Sequence, residues 1–183
     1  LLRVPPKAGS AIDVANAFAR EGLFQWAQPN FGRQMRKSQV DDPFFPNQWH
    51  LENTGQFGGT VDADVDASDA WEITTGSAGI VIAVIDDGIE LSHPDLAANI
   101  FVNPGESGGG RETNGIDDDG NGFVDDVSGW DFFDDDNNAA HAIRSGRSEG
   151  HGTAVAGIIA AEADNAIGSY GVAPAAELLP IKA

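Results

Sequence analysis

Gly79-Ile80-Val81-Ile82-Ala83-Val84-Ile85-Asp86-Asp87-Gly88 is a run of β-branched and small apolar residues that stops abruptly at two carboxylates and a glycine. It shows no polar alternation, the pattern of a strand buried on both faces, and it is far too short to span a bilayer. Downstream, Asn103 to Glu149 is a long Gly/Asp/Asn loop. Gly152 to Ala163 then reads as a helix whose Val155, Ala156, Ile158 and Ile159 are packed almost all round, and Leu178 to Lys182 as another buried strand. Upstream, Asp66 stands where it can cap a short helix, Ala67 to Ile73, closed by Gly76, and Asp42 to Gly59 reads as an irregular aromatic segment laid over a core. Strand, loop, helix, strand is the order of an open α/β parallel sheet, in which ligands gather at the carboxyl ends of strands. Asp86 sits at such an end.

The 183 residues carry a formal charge of −19 and no cysteine. So acidic a surface lacks the basic face that displaces counterions from a polyanion, which argues against nucleic acid as a partner. Without cysteine there are no disulfides, no thiolate nucleophile and no Cys-ligated metal. The charge breaks along the chain, with +4 over residues 1–40 and −23 over the rest. That break predicts two units. In the first, Leu1 to Val4, Ala11 to Glu21 and Leu23 to Ala27 read as strand, helix and strand, followed by a basic linker from Arg33 to Asp42.

A carboxylate at a strand end can hold an imidazole in one tautomer. His151, in the first turn of the predicted helix between Gly150 and Gly152, is the candidate partner of Asp86. Taken singly, a strand-end Asp is more often a turn residue and a lone His more often structural. The surrounding residues add specificity. Ile82-Ala83-Val84-Ile85-Asp86-Asp87-Gly88-Ile89 with Ser92-His93-Pro94-Asp95-Leu96 resembles the aspartate segment of subtilisin-like serine proteases. His151-Gly152-Thr153-Ala154-Val155-Ala156-Gly157 resembles that family's histidine segment, and Gly171-Val172-Ala173-Pro174 the turn beyond it.

The resemblance covers about residues 42–183. It implies the N-terminal part of a parallel-sheet, three-layer α/β domain, a serine endopeptidase acting on polypeptides, and Asp86 and His151 as two members of a catalytic triad. The family's third member lies in a Gly-Thr-Ser-x-Ala-type segment, and none of the serines here has that setting. The remaining serine-bearing part of the catalytic domain is therefore an implied partner, and these residues alone are expected to be inactive. Asp42-Pro43-Phe44-Phe45-Pro46-Asn47-Gln48-Trp49 and the Asp-Asp-Gly form at 86–88 are similar to the kexin-like convertase branch. In that branch the second Asp helps select a basic substrate side chain, so Asp87 is either a specificity residue or simply a turn cap. Residues 1–40 resemble the carboxyl-terminal part of a subtilase propeptide, an inhibitor and folding aid, with Arg36-Lys37 as the implied maturation site and a secreted protein as the implied setting.

Nine aspartates lie between Asp117 and Asp136 with no Lys or Arg among them, which makes a hard cation their natural partner. Asp117, Asp119, Asn121 and Asp125 fall at positions one, three, five and nine of an EF-hand-like calcium loop with Gly122 at the sixth. Ser128 stands where the bidentate acid belongs, which leaves Asp126 as the further donor. The family resemblance implies a second Ca2+ site from the side chains of Asp42, Asp95 and Asn165 with the carbonyls of Glu162, Ile167 and Ser169. It implies a third from Asp131, Asp136 and Asn138. A non-catalytic extracellular calcium-binding scaffold or adhesion module is the competing reading; it accounts for the acidic loop but not for Asp86 and His151 together. A metal-dependent hydrolase fits less well, because His50, His93, His141 and His151 lack paired ligand spacing.

Overall fold

The computed structural model describes residues 16, 17, 20, 40–144, 147, 148 and 150–183, with backbone alone at 143, 144, 147 and 148. The chain divides into two units, Leu1–Arg36 and Lys37–Ala183. In the first, Asn16, Ala17 and Arg20 are helical, and Arg20 Nε donates to the Asn16 carbonyl at 3.2 Å. The rest of the expected strand–helix–strand, and the Arg36-Lys37 step, lie outside the described residues.

The second unit contains helices α1 (Ala67–Trp71) and α2 (His151–Ala160) and strands β1 (Val81–Asp86), β2 (Trp130–Asp131), β3 (Ile143–Arg144), β4 (Arg147–Ser148) and β5 (Glu177–Lys182). The parallel sheet has the order β1-β5-β2, and β3 and β4 form a separate antiparallel pair. Register sets Val84 opposite Pro180 and Asp86 opposite Lys182, so both charged residues stand at the carboxyl edge. On one face Val84 and Leu178 pack with Ile89, Leu96, Ala156, Ala160 and Ala161, which seats α2 on the sheet. Small side chains on that side of the helix permit the close approach.

The expectation that β1 is buried on both faces does not hold. Val81 and Ile85, on the face away from α2, are 43% and 68% exposed, because β1 pairs with β5 alone among the described strands and its second face carries no covering layer among the described residues. Helix α2 also ends at Ala160 rather than Ala163. Ala161 turns extended, and Glu162 N–H leaves the helix to donate to the Asp95 carbonyl at 2.9 Å. Helix α1 stops at Trp71, short of Ile73, and Asp66 makes no side-chain cap. Asp64 shapes that turn instead, its carboxylate accepting Asp66 N–H at 2.7 Å and Asn53 N–H at 2.6 Å.

The aromatic segment after Asp42 is laid over a second core of Leu51, Ala67 and Tyr170 with Phe45 and Trp71, the Trp71 and Tyr170 rings 4.3 Å apart. Gln48 ties it down by exchanging two hydrogen bonds with the Tyr170 backbone, at 2.9 and 2.8 Å. Burial, reinforced by the charges of Asp164 and Asp42, pushes the Tyr170 hydroxyl up to about 12. No helix among the described residues is long and apolar enough to cross a membrane.

Candidate functional site

Strand β1 delivers Asp86 to the sheet edge, and α2 begins at His151 beside it. His151 Nδ1 lies 2.8 Å from both carboxylate oxygens of Asp86. The bond to His151 holds Asp86 below its ordinary 3.8 against the opposing effect of burial. The same bond, then the charges of Asp86 and Asp87, raises His151 above its ordinary 6.5. A carboxylate on Nδ1 keeps the proton there, so Nε2 of the neutral ring carries the lone pair and can act as a base. The imidazole is 74% exposed and the Asp86 side chain 17% exposed, so the basic nitrogen is open to a reactant while its orienting partner is shielded.

Three further contacts lock the first turn of α2 onto the strand end. Gly150, the residue before the helix, gives no side-chain cap. The exposed N–H groups of a helix start need acceptors. Asp87 supplies them across the fold, accepting His151 N–H at 3.2 Å on one oxygen and Gly152 N–H at 2.7 Å on the other. Thr153 Oγ1 accepts Glu90 N–H at 2.9 Å. At Gly152 a Cβ would stand 2.4 Å from the Gly88 carbonyl oxygen and 3.0 Å from Asp86 Cβ, so only glycine lets the helix approach this closely. The capping role of Asp87 and the part played by Thr153 go beyond the sequence reading; the available signal was a helix start with glycine where Ser, Thr, Asp or Asn belongs.

Of the residues expected at the first family-implied calcium site, Asp95, Asn165 and Ser169 are joined by hydrogen bonds, whereas Asp42 gathers with Asp41 and Asp164. Asp42 and Asp95 are buried, at 2% and 3% exposure. Asp95 accepts Asn165 Nδ2 at 3.1 Å and Ser169 N–H at 2.9 Å, and Asn165 Oδ1 accepts Ile167 N–H at 2.7 Å. Asp42 Oδ2 accepts Asp164 N–H at 2.9 Å, whereas its Oδ1 is buried without a partner. Asp41 and Asp164, absent from the expected set, each place an oxygen within 4.8 Å of one on Asp42. Burial above all, with those two charges, raises Asp42 from its ordinary 3.8 despite N–H bonds from Asp164 and Asn165. A buried carboxylate with an orphaned oxygen and two acidic neighbours fits a hard cation.

The four residues of the expected EF-hand-like loop are divided. Asp117 accepts N–H groups of Gly120, Asn121 and Gly122, and Asp125 those of Asn114 and Gly115. Those bonds, Gly122 foremost, hold Asp117 below its ordinary value. Asp119 instead gathers with Asp126 and with Glu106, a residue the spacing did not reveal; Asn121 Nδ2 reaches both aspartates, at 3.3 and 3.0 Å.

Asp131 and Asp136 meet through their backbones, each N–H donating to the other's carbonyl, at 2.8 and 3.1 Å. Asp131, 1% exposed, pairs with Lys182 Nζ at 2.8 Å and accepts Phe133 and Asp134 N–H. Burial works to raise this carboxyl, yet Lys182 and the two N–H groups outweigh it and hold it low. Asp136 Oδ1 accepts Asn138 N–H in a local turn. One member of the expected ligand set, Asp131, is thus engaged in an ion pair.

Residues 77–183 match the profile of the subtilase family. The chain is 32% identical over 143 residues to neuroendocrine convertase 2 of Bos taurus, covering 78% of this chain and 19% of that protein. It is 29% identical over 180 residues to a calcium-dependent protease of Nostoc sp., covering 97% and 22%. Among solved structures, a serine protease of Aeromonas sobria, determined in complex with a chaperone, superposes with a TM-score of 0.54 at 28% identity over 87% of this chain and 23% of that one. The chain thus spans about a fifth of the length of the curated relatives it matches. The family profile runs through β1 and Asp86, the long loop, α2 with His151, and β5, which is more than half of the residues, and on that ground the chain belongs to the subtilase family of serine proteases.

Proposed function

We propose that this chain supplies the aspartate and histidine of a calcium-stabilised, subtilisin/kexin-type serine endopeptidase. The observation that carries this is the 2.8 Å contact between Asp86 and His151 Nδ1 at the carboxyl edge of a parallel sheet. In that role Asp86 fixes the Nδ1–H tautomer and stabilises the imidazolium formed when Nε2 takes the proton of an attacking serine hydroxyl. The nucleophile belongs to a Gly-Thr-Ser-x-Ala-type segment that the 183 residues do not contain. On their own they therefore hold a base and its orienter, and turn over no peptide. Asp87 acts as a positioning residue, through its grip on the first turn of α2; its contacts favour this over direct substrate selection.

The substrates are polypeptides, and the protein is secreted. Residues 1–40 are the carboxyl-terminal part of a propeptide and 41–183 the N-terminal part of the catalytic domain; the +4 and −23 charges of the two stretches support their attraction. Asp42, Asp95 and Asn165, with the carbonyls of Glu162, Ile167 and Ser169, hold Ca2+, and Asp41 and Asp164 add carboxylates at the same place. Bound there, the ion joins the segment at Asp42 to the turn after α2; the orphaned Asp42 oxygen supports this.

The test is peptide cleavage by the full-length protein and its variants. Asp86→Asn lowers kcat by about 10⁴-fold and His151→Ala by about 10⁶-fold, with KM little changed. Cleavage undiminished in both variants rules the reading out.

A further inference from the structure

We propose a separate calcium centre, unrelated in its residues to the Asp42 cluster, held by Glu106, Asp119 and Asp126 at the base of the long acidic loop. A carboxylate oxygen of each lies within 4.8 Å of the others. Proximity alone would not make a site, since exposed acids cluster without ions. Glu106 supplies the second observation. Its side chain is fully buried, at 0% exposure, and although Oε1 accepts Asp118 and Asp119 N–H at 2.7 and 3.1 Å, Oε2 is buried with no hydrogen-bond partner. An orphaned oxygen on a buried carboxylate costs free energy unless a cation or donor meets it.

The loop's own groups do not supply that charge. Asn103 Nδ2 donates to Asp119 and Asp126 at 2.9 Å each, and Asn121 Nδ2 to the same pair, so neutral amides are the observed donors. Arg111, the nearest cation in sequence, turns its guanidinium to the carbonyls of Pro104, Ser107 and Gly108. The backbone is shaped for the closure. A Cβ at Gly105 would stand 2.4 Å from Asp119 Cβ, so the two arms of the loop meet only because residue 105 is glycine. Asn103 N–H donates to the Val127 carbonyl at 2.8 Å just beneath, joining the arms immediately before β2.

Hard carboxylate oxygens exclude soft metals, and an irregular shell completed by amide oxygens and water suits Ca2+ better than Mg2+, which demands near-ideal octahedral geometry. The donor set also replaces the EF-hand-like spacing: Asp117 and Asp125 are turn-formers, and Glu106, from outside that spacing, takes the place of the missing bidentate acid. A cation here pins the loop to the edge of the sheet.

The experiment is calorimetric titration of CaCl2, and separately MgCl2, into the full-length protein stripped with EGTA. Glu106→Gln and Asp126→Asn each remove one bound Ca2+ or weaken it by at least about 10–100-fold, the loss that even outer-shell changes produce at metal sites. Asp117→Asn and Asp125→Asn weaken it much less, and Asp42→Asn leaves this binding event in place. Because Glu106→Gln alters a buried group, limited proteolysis within residues 106–126 gives a second readout: Ca2+ protects the loop in the parent protein and not in Asp126→Asn. Unchanged stoichiometry and protection in Asp126→Asn, equal losses in Asp117→Asn, or Mg2+ binding as tightly as Ca2+ overturns the proposal.

Discussion

His151 and Asp86 displace each other's titration in opposite directions, and the sign of each displacement sets where their pair exists. Raised above 6.5, His151 stabilises the folded protein fully at lower pH, and that contribution is lost as pH rises through its folded value. Lowered below 3.8, Asp86 contributes above its unfolded value, and that contribution is lost as pH falls through its folded one. The charged pair is therefore at its fullest between pH 3.8 and 6.5. General-base action needs the neutral ring, so activity rises with pH through the elevated His151 value. Asp86→Asn should shift both that acid limb and the His151 ring-proton NMR titration to lower pH. A His151 titration at or below 6.5 in the parent protein would contradict the geometry. Both residues were singled out in the sequence by the subtilase-like segments around them, since a strand-end Asp or a lone His taken singly is more often structural. Asp87's grip on α2 was not, since it joins groups more than sixty residues apart and the only local sign is the glycine that leaves the helix start uncapped.

At the scale of elements, β1, α2 and β5 were legible because continuous apolar runs of strand or helix length admit few other readings. Their ends and surroundings were less so. The end of α2 depends on Asp95 capturing the Glu162 N–H, and the burial of β1 depends on what covers Ile85; neither is a property of local periodicity. The partner of Asp131 was hidden for the same reason: in sequence an acidic cluster looks short of cations, whereas folding brings Lys182 from β5 against it at 2.8 Å. Both partners are nearly buried, with side chains 6% and 2% exposed, so removing one strands the other. Lys182→Met should destabilise the full-length protein by about 3–5 kcal/mol in urea unfolding, and Asp131→Leu added to it should recover much of that loss. A Lys182→Met variant as stable as its parent would show the pair to be solvated.

Over the whole molecule, the net charge of −19 is distributed among different physical tasks. Asp86 orients an imidazole, Asp87 caps a helix, Asp117 and Asp125 close turns, and Asp131 meets a lysine. Among the described residues, acids also gather around Asp42 and around Glu106, and in each group a buried carboxylate oxygen lacks a partner. Composition showed the excess of acid but could not sort it, because the sorting depends on which oxygens end up out of water. The Asp42 group makes a prediction whose sign depends on calcium. With its folded value raised above 3.8, chiefly by burial, ionised Asp42 costs stability at neutral pH when no cation is bound. Asp42→Asn removes the charge at nearly constant shape, so in EGTA the variant should melt above its parent. With Ca2+ at a hundred times its Kd the parent gains about 2.7 kcal/mol, or several degrees in Tm, and the variant, lacking a ligand, should gain much less. The two melting temperatures therefore exchange order between EGTA and Ca2+ in differential scanning calorimetry. A variant below its parent by the same margin in both conditions would mean that Asp42 acts through its hydrogen bond to Asp164 alone, and that no ion is held there.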